Sequence, residues 1–234
     1  MQVTFEHFTD TAANIKTFYF KPERSVRYEA GQFIELTIPH DNADKRGQKR
    51  WFTLSSSPTE ELLSITTKFA LENGSTFKQA LLALQPGTSL RMADPMGDFV
   101  LPKDQSKPLI FVAGGIGVTP MHSMVQFLHD NKEARDITLI YAANKEDEVA
   151  FSDLFKGYDL NFIPVIREAQ ASWSGETGTL DPERITKFAP KITESTVYLS
   201  GPEPMVEALF DGLKKAGVDK RNIVTDYFPG YTQI

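Results

Sequence analysis

The chain has 234 residues, 41% of them hydrophobic and 24% charged, enough to bury a substantial core in one large domain or two ordinary ones. A net charge of −6 excludes the basic footprint of a nucleic-acid binder. The complete lack of cysteine excludes disulfides, thiolate zinc sites and any cysteine-ligated iron–sulfur cluster within the chain, so redox chemistry here needs a borrowed cofactor.

The opening Met1 to His7 lacks the basic end and apolar stretch of a secretory signal, and the cytoplasm is the expected compartment. Short β-rich segments follow at Ile15 to Phe20, Gln32 to Ile38, Trp51 to Ser55, Leu62 to Phe69 and Ser89 to Met92. Turn formers separate them, among them Glu29-Ala30-Gly31, Ser57-Pro58 and Pro86-Gly87. One helix interrupts them, Thr76 to Leu84, with Ser75 or Thr76 placed to cap it. Strands, turns and a single helix predict an antiparallel β-barrel over residues 1–103.

After Pro102 to Pro108 the pattern changes. Leu109 to Ala113 reads as a buried strand, followed by glycines and a helix from Pro120 to about Asn131 with Met121, Met124, Val125 and Leu128 on one face. Strands at Ile137 to Ala142, Asn161 to Ile166, Thr196 to Leu199 and Ile223 to Tyr227 alternate with helices at Val149 to Phe155, after Asp181, and at Pro204 to Ala216. This alternation predicts a second domain over residues 104–234, an α/β doubly wound parallel sheet. No run is long enough to span a membrane. His122 and His129 fall on one helix and are expected to be exposed, with no metal-like grouping of histidines.

Ligands of such a sheet sit where strand gives way to helix. Gly114-Gly115-Ile116-Gly117-Val118-Thr119-Pro120 occupies the first junction. Its glycines allow a sharp turn and let backbone N–H groups approach a pyrophosphate, while Thr119 is placed to cap the helix that Pro120 opens. Taken alone, the same glycines equally serve a tight turn. Ser200-Gly201-Pro202-Glu203-Pro204-Met205 forms a matching junction, and two such turns in one sheet favour a nucleotide cleft. In the first half, Arg50-Trp51-Phe52-Thr53 offers a phosphate-binding guanidinium, a ring and a hydroxyl, and alternation puts Arg50 and Phe52 on one face. Asn73-Gly74-Ser75-Thr76 at the helix start is an anion seat or a plain cap.

In this order the pieces resemble the ferredoxin–NADP reductase superfamily over about residues 5 to 228. That resemblance implies FAD against the barrel, with Arg50 on its phosphate, Phe52 in place of the usual Tyr along the isoalloxazine, and Thr53 near N5. Thr66-Thr67-Lys68 and Gly74-Ser75-Thr76 are similar to the next two flavin segments, the second a pyrophosphate cradle. Asp94-Pro95-Met96-Gly97-Asp98-Phe99 resembles the turn that closes the barrel, with Asp94 in place of its first Gly. The run Gly114 to Pro120 is similar to the nucleotide turn, and Ser200-Gly201-Pro202 with Met205 resembles a Cys-Gly-Pro-x-x-Met motif. Asp226-Tyr227-Phe228 is similar to an acidic-x-aromatic ending whose aromatic covers the flavin.

The implied reaction is hydride transfer from nicotinamide C4 to flavin N5, with Thr53, Ser200, Asp226 and Phe228 around the reacting rings. The implied nucleotide is NADPH or NADH. Arg167 suits a 2′-phosphate, whereas Glu168 beside it opposes one. Electrons then pass to a separate acceptor protein or small molecule, such as a ferredoxin, a flavodoxin or an oxygenase component, from a monomer or weak dimer. Tyr231 is a further candidate, for the adenine half of the flavin. Two other readings stand beside this one, a reductase that uses free flavin as substrate and a non-catalytic flavin-carrying subunit.

Overall fold

This computed structural model describes residues 1–70 and 74–228, so Asn73 and the candidate Tyr231 lie outside the described residues. The first half forms six antiparallel strands: β1 (Gln2–Ala12), β2 (Ile15–Pro22), β3 (Phe33–Thr37), β4 (Lys49–Thr53), β5 (Leu63–Lys68) and β6 (Ser89–Met92), ordered β4-β3-β6-β1-β2-β5. A bridge between Leu54 and Ile65 brings the two edge strands together, closing the sheet on itself. Its core is aromatic and β-branched, with Phe5, Phe18, Phe20, Ile34 and Ile65 buried. Phe77 and Leu81 of helix α1 (Thr76–Leu82) plug one side. Each such buried side chain contributes about 1.5–3 kcal/mol.

Strand β1 escapes the sequence pattern for a physical reason. Only Gln2 to Thr4 pair with β6, while β1 from Val3 onward pairs with β2 in a hairpin whose far part, His7 to Asp10, is exposed. Solvent on that overhang permits the polar residues that hide the alternation. The hairpin tip reaches the second half, where the Ala13 amide donates to the carbonyl of Asp147 at 2.7 Å.

The second half holds β7 (Leu109–Gly114), β8 (Ile137–Ala143), β9 (Asn161–Ile166), β10 (Glu176–Thr177), β11 (Thr196–Gly201) and β12 (Ile223–Tyr227) in the order β10-β9-β8-β7-β11-β12. All pairs in this sheet are parallel. The chain walks outward from β7 to β9, then returns to place β11 on the other side of β7, so the topological switch lies between β7 and β11. One face is covered by α2 (Thr119–Asp130) and α3 (Ser152–Gly157), the other by α4 (Pro182–Phe188) and α5 (Glu203–Lys215). The α2 stripe of Met121, Met124, Val125 and Leu128 is buried as its spacing requires. Among the described residues, no helix is long and apolar enough to cross a membrane.

The two halves share one core. Ile15, Ala30 and Phe99 pack in the same cluster as Phe111, Tyr141 and Met124. Polar contacts pin the seam: Ser123 donates to the Ser56 carbonyl at 2.6 Å, and Tyr198 donates to the Val100 carbonyl at 2.7 Å.

His122 corrects the expectation of an exposed histidine, because α2 lies against the barrel rather than at the surface. Its ring is buried, donates from Nδ1 to the Ser55 carbonyl at 2.7 Å, and stacks at 3.8 Å on Phe151. His129, by contrast, has an exposed side chain. Phe151 precedes α3 in a left-handed conformation, φ 60°, which delays the helix from the expected Val149 to Ser152. The ring stack offsets backbone strain of about 1–3 kcal/mol.

Burial lowers the His122 pKa from 6.5 to about 4. Between those values the unfolded chain binds a proton that the folded chain refuses, so this group withdraws stability as pH falls from about 6.5 to about 4. Denaturant unfolding of wild type and His122→Gln at pH 7.5 and pH 4.5 tests this. The stability advantage of wild type is expected to shrink by about 2–3 kcal/mol at the lower pH; an unchanged gap would contradict a neutral buried imidazole.

Candidate functional site

The site begins with a steric constraint. A Cβ on Gly117 would lie 2.4 Å from the Ser200 carbonyl oxygen and 2.6 Å from the Gly201 nitrogen. The turn after β7 therefore presses directly on the end of β11, at the switch point. Gly201 adopts φ 153°, and a Cβ there would come within 3.1 Å of Gly114. Gly115 takes φ 53° with nothing near its missing Cβ, leaving open space above the turn.

Residues Gly115–Val118 form a single 3-10 turn that runs into α2. Pro120 sits in the helix's first turn, as expected. Thr119 is not a cap. Its hydroxyl donates to the Ile116 carbonyl at 3.1 Å, because the 3-10 turn already continues the helix backward.

Above the turn is a crevice of about 30 Å³ shared by both halves. Ile15 and Lys68 form its barrel wall, and Gly114, Gly115 and Ile116 its floor. Asn144 and Glu148, just beyond β8, face them, and Pro202 and Phe228 close the remaining side. Lys68 pairs with Glu148 at 2.8 Å across the crevice. Phe228 is held there by its own amide, which donates to the Gly201 carbonyl at 3.0 Å. The crevice thus gathers Lys68, Gly114, Gly115, Pro202 and Phe228 from the sequence candidates. It also adds Asn144 and Glu148, which no local motif marks.

Two buried polar atoms around this turn have no hydrogen-bond partner among the described residues, Asn144 Oδ1 and Ser200 Oγ. Orphaned buried polar atoms are costly; Asn144 lines the crevice and so marks a place for a ligand there, while Ser200 lies under the turn against Gly117. Ser200 and Asp226 are register partners on β11 and β12, so their side chains leave the sheet on the same face. Burial raises the Asp226 carboxyl to about 6.

A second cavity, about 560 Å³, opens at the carboxyl ends of β8 and β9. Arg167, Leu180, Asp181, Pro204 and Met205 line it, so Arg167 and Met205 meet here rather than at the crevice. Ala143 and Pro202 line both spaces, which makes them adjoining parts of one groove along the sheet.

On the barrel, Arg50 and Phe52 share a face as alternation requires, and both meet Phe77, Arg50 at 5.1 Å over the ring and Phe52 at 5.8 Å between centroids. The Arg50 guanidinium is committed to the hairpin that joins β3 to β4. It donates to the carbonyls of Arg46, Gly47 and Lys49 and pairs with Asp44 at 2.9 Å. Ser75 caps α1, accepting from the Lys78 amide at 3.3 Å. Thr76 shares its hydroxyl with His40 at 3.1 Å and accepts from the Asp44 amide at 3.0 Å. Gly74 precedes these with open space at its Cβ position.

Trp51 points the opposite way from Phe52. It is 66% exposed, stacks on Phe33 at 5.3 Å and donates to Glu35, so it does not join the Arg50 and Phe52 face. Thr53 is buried at the end of β4. Thr67 is also buried, while Thr66 lies in a buried run of hydroxyls, 2.8 Å from Thr17 and 2.9 Å from Ser55.

Comparison with known proteins agrees with this geometry. Residues 111–210 match the family described as the oxidoreductase NAD-binding domain. The chain is 28% identical to the stachydrine N-demethylase reductase subunit of Rhizobium meliloti, over 96% of this chain and 66% of that protein. It is 26% identical to the reductase component of phenol 2-monooxygenase from Pseudomonas sp., over 94% of this chain and 63% of that one. It therefore spans less than two thirds of the length of these relatives. Among solved structures, the flavohem-like FAD/NAD-binding domain of nitric oxide dioxygenase from Vibrio cholerae superposes with a TM-score of 0.84 at 20% identity, covering 97% of this chain and 98% of that one.

Two outcomes follow from the site's construction. Gly117→Ala is expected to destabilise the chain by about 1–3 kcal/mol in chemical denaturation, since backbone on both sides blocks the methyl group. Asp226→Asn is expected to stabilise the unliganded chain at pH 8 by about 1–2 kcal/mol, because ionising a carboxyl whose folded pKa exceeds its unfolded value weakens the fold as pH rises. At pH 4 that gain should vanish, and thermal unfolding at both pH values checks it.

Proposed function

We propose that this chain, which has the two-domain fold of the flavohem-like FAD/NAD-binding domain and whose residues 111–210 match the oxidoreductase NAD-binding domain, is a flavin-dependent reductase of the ferredoxin–NADP reductase type. It takes hydride from NADH or NADPH onto bound FAD and hands the electrons to a separate acceptor. The observation that carries this reading is the groove with two chambers. The larger chamber, of about 560 Å³, suits the adenosine end of a dinucleotide, and the smaller lies at the seam with the barrel, where a nicotinamide would meet a flavin.

FAD, when bound, supplies an acceptor for two electrons that can be released singly. Arg50 and Ser75-Thr76 would take its phosphates, and Phe52 and Thr53 would line its ring. Open space at the Cβ position of Gly74, next to Ser75, leaves room for those phosphates. Phe228 would close the crevice until a nicotinamide displaces it. Asn144 Oδ1 and Ser200 Oγ, both lacking partners, would hydrogen-bond the entering nucleotide. Gly114, Gly115 and Gly117 would let the backbone come close to its phosphates.

The names of the relatives, a reductase subunit of a demethylase and a reductase component of a monooxygenase, favour an oxygenase component as the acceptor. A cytoplasmic location and a boundary between the halves near residue 103 belong to the same reading. One observation favours the neighbouring possibility of a reductase that releases its flavin. Asp44 and His40 already occupy Arg50 and Thr76, so a flavin phosphate must displace them.

The absorbance spectrum of the purified chain separates these readings. Flavin bands that survive gel filtration and bleach with NADH or NADPH under anaerobic conditions are expected. A colourless protein that reduces added flavin would select the alternative, and one that binds neither flavin nor nucleotide would end the proposal. Phe228→Ser is expected to tighten nicotinamide nucleotide binding about tenfold or more, read from the charge-transfer absorbance on titration. Asn144→Leu is expected to raise KM for the nucleotide by about tenfold, with a smaller change in kcat.

A further inference from the structure

We propose that the groove selects NADH over NADPH, through the Glu168 and Asp181 carboxylates that deny a 2′-phosphate its cationic seat. This rests on the larger chamber being the adenosine end and sharpens that reading.

A 2′-phosphate carries between one and two negative charges near neutral pH and is recognised by guanidinium or ammonium groups free to face it. Arg167, at the end of β9, is the one cationic residue in the described wall of this chamber. Its guanidinium lies 3.5 Å from the Glu168 carboxylate. The Glu168 backbone is fixed in turn, since its amide donates to the Asn144 carbonyl at 2.8 Å and the Arg167 amide to the Ala143 carbonyl at 3.0 Å. The Glu168 carboxylate, more than half exposed, therefore stands beside Arg167 at the rim.

The next guanidinium along the chain is not available either. Arg184 donates to the carbonyls of Thr177 at 2.7 Å and Thr179 at 3.0 Å, and pairs with Glu176 at 3.0 Å. Those bonds hold the turn through Gly178 that builds one wall of the chamber. Withdrawing Arg184 to meet a phosphate would undo the wall itself.

Asp181 completes the argument. It lines the chamber, and its Oδ1 accepts from the Arg184 amide at 2.9 Å as the cap of α4, which holds the carboxylate at the wall. A carboxylate in an adenosine pocket accepts from ribose hydroxyls and repels a phosphate. The chamber and its rim therefore hold one half-neutralised cation against two carboxylates. Such a balance suits a ribose that keeps both hydroxyls.

The test compares kcat/KM for NADH and NADPH with ferricyanide as acceptor, and compares calorimetric binding of 5′-AMP with that of 2′,5′-ADP. NADH is expected to be preferred by about tenfold or more, with 5′-AMP the tighter ligand. Glu168→Gln combined with Asp181→Asn is expected to narrow both ratios to within about threefold, mainly by tightening the phosphorylated ligand. Asn remains a good helix cap, so α4 should persist in the variant. Binding of 2′,5′-ADP as tight as or tighter than 5′-AMP in the wild type, or unchanged ratios in the double variant, would overturn the assignment. If neither nucleotide binds, the adenosine reading of the chamber falls with it.

Discussion

Everything at the switch point depends on the contact between Gly117 and the backbone of Ser200 and Gly201. At a Cβ distance of 2.4 Å no other residue fits without moving β11. Because the ends of β7 and β11 meet this closely, the mouth of the sheet becomes a groove with glycine on its floor. The 3-10 turn and then α2 follow at once, the Thr119 amide bonding back to the Ile116 carbonyl. The same contact sets where Ser200 and Pro202 stand, and through Gly201 it positions Phe228 as well.

The seam between the halves determines what that groove faces. Hydrocarbon fills it around Ile15, Ala30 and Phe99, and Ser55 and Ser56 are tied by their carbonyls to His122 and Ser123 of α2. This continuity resists relative movement of the halves. The parts of the site best placed to move are its edges, the Lys68–Glu148 pair across the crevice and the Phe228 ring.

Electrostatics around the groove follow from burial more than from net charge. Desolvation keeps His122 neutral and pushes Asp226 up, with opposite effects on acid stability. Around the crevice, polar atoms lacking partners and a closely set glycine turn form a surface better suited to a ligand than to itself. The larger chamber is lined by one cation, Arg167, and one carboxylate, Asp181.

Local chemistry was enough to reveal the two halves, the α2 stripe, the glycine turns and the pairing of Arg50 with Phe52 on one face, because each is written in periodicity or in a residue's own conformational limits. The polar overhang hid β1, and no local signal marks Asn144, whose unpartnered oxygen exists only once β8 ends beside Gly114. Trp51 turned away from the candidate face, Thr119 bonded backward instead of capping, and His122 went inside. Alternation along β4 already sends Trp51 to the opposite face, and Thr119 bonds only three residues back, so of these outcomes the burial of His122 against Ser55 is the one that depended on a neighbour distant in sequence. Glycine placement and hydrophobic rhythm are properties of short stretches of chain, so the sequence alone determined that a nucleotide-type groove would form. Which side chains line it, how they are charged and which are already taken by partners were decided by tertiary packing, since only folding brings Lys68 to Glu148 and Asp44 to Arg50.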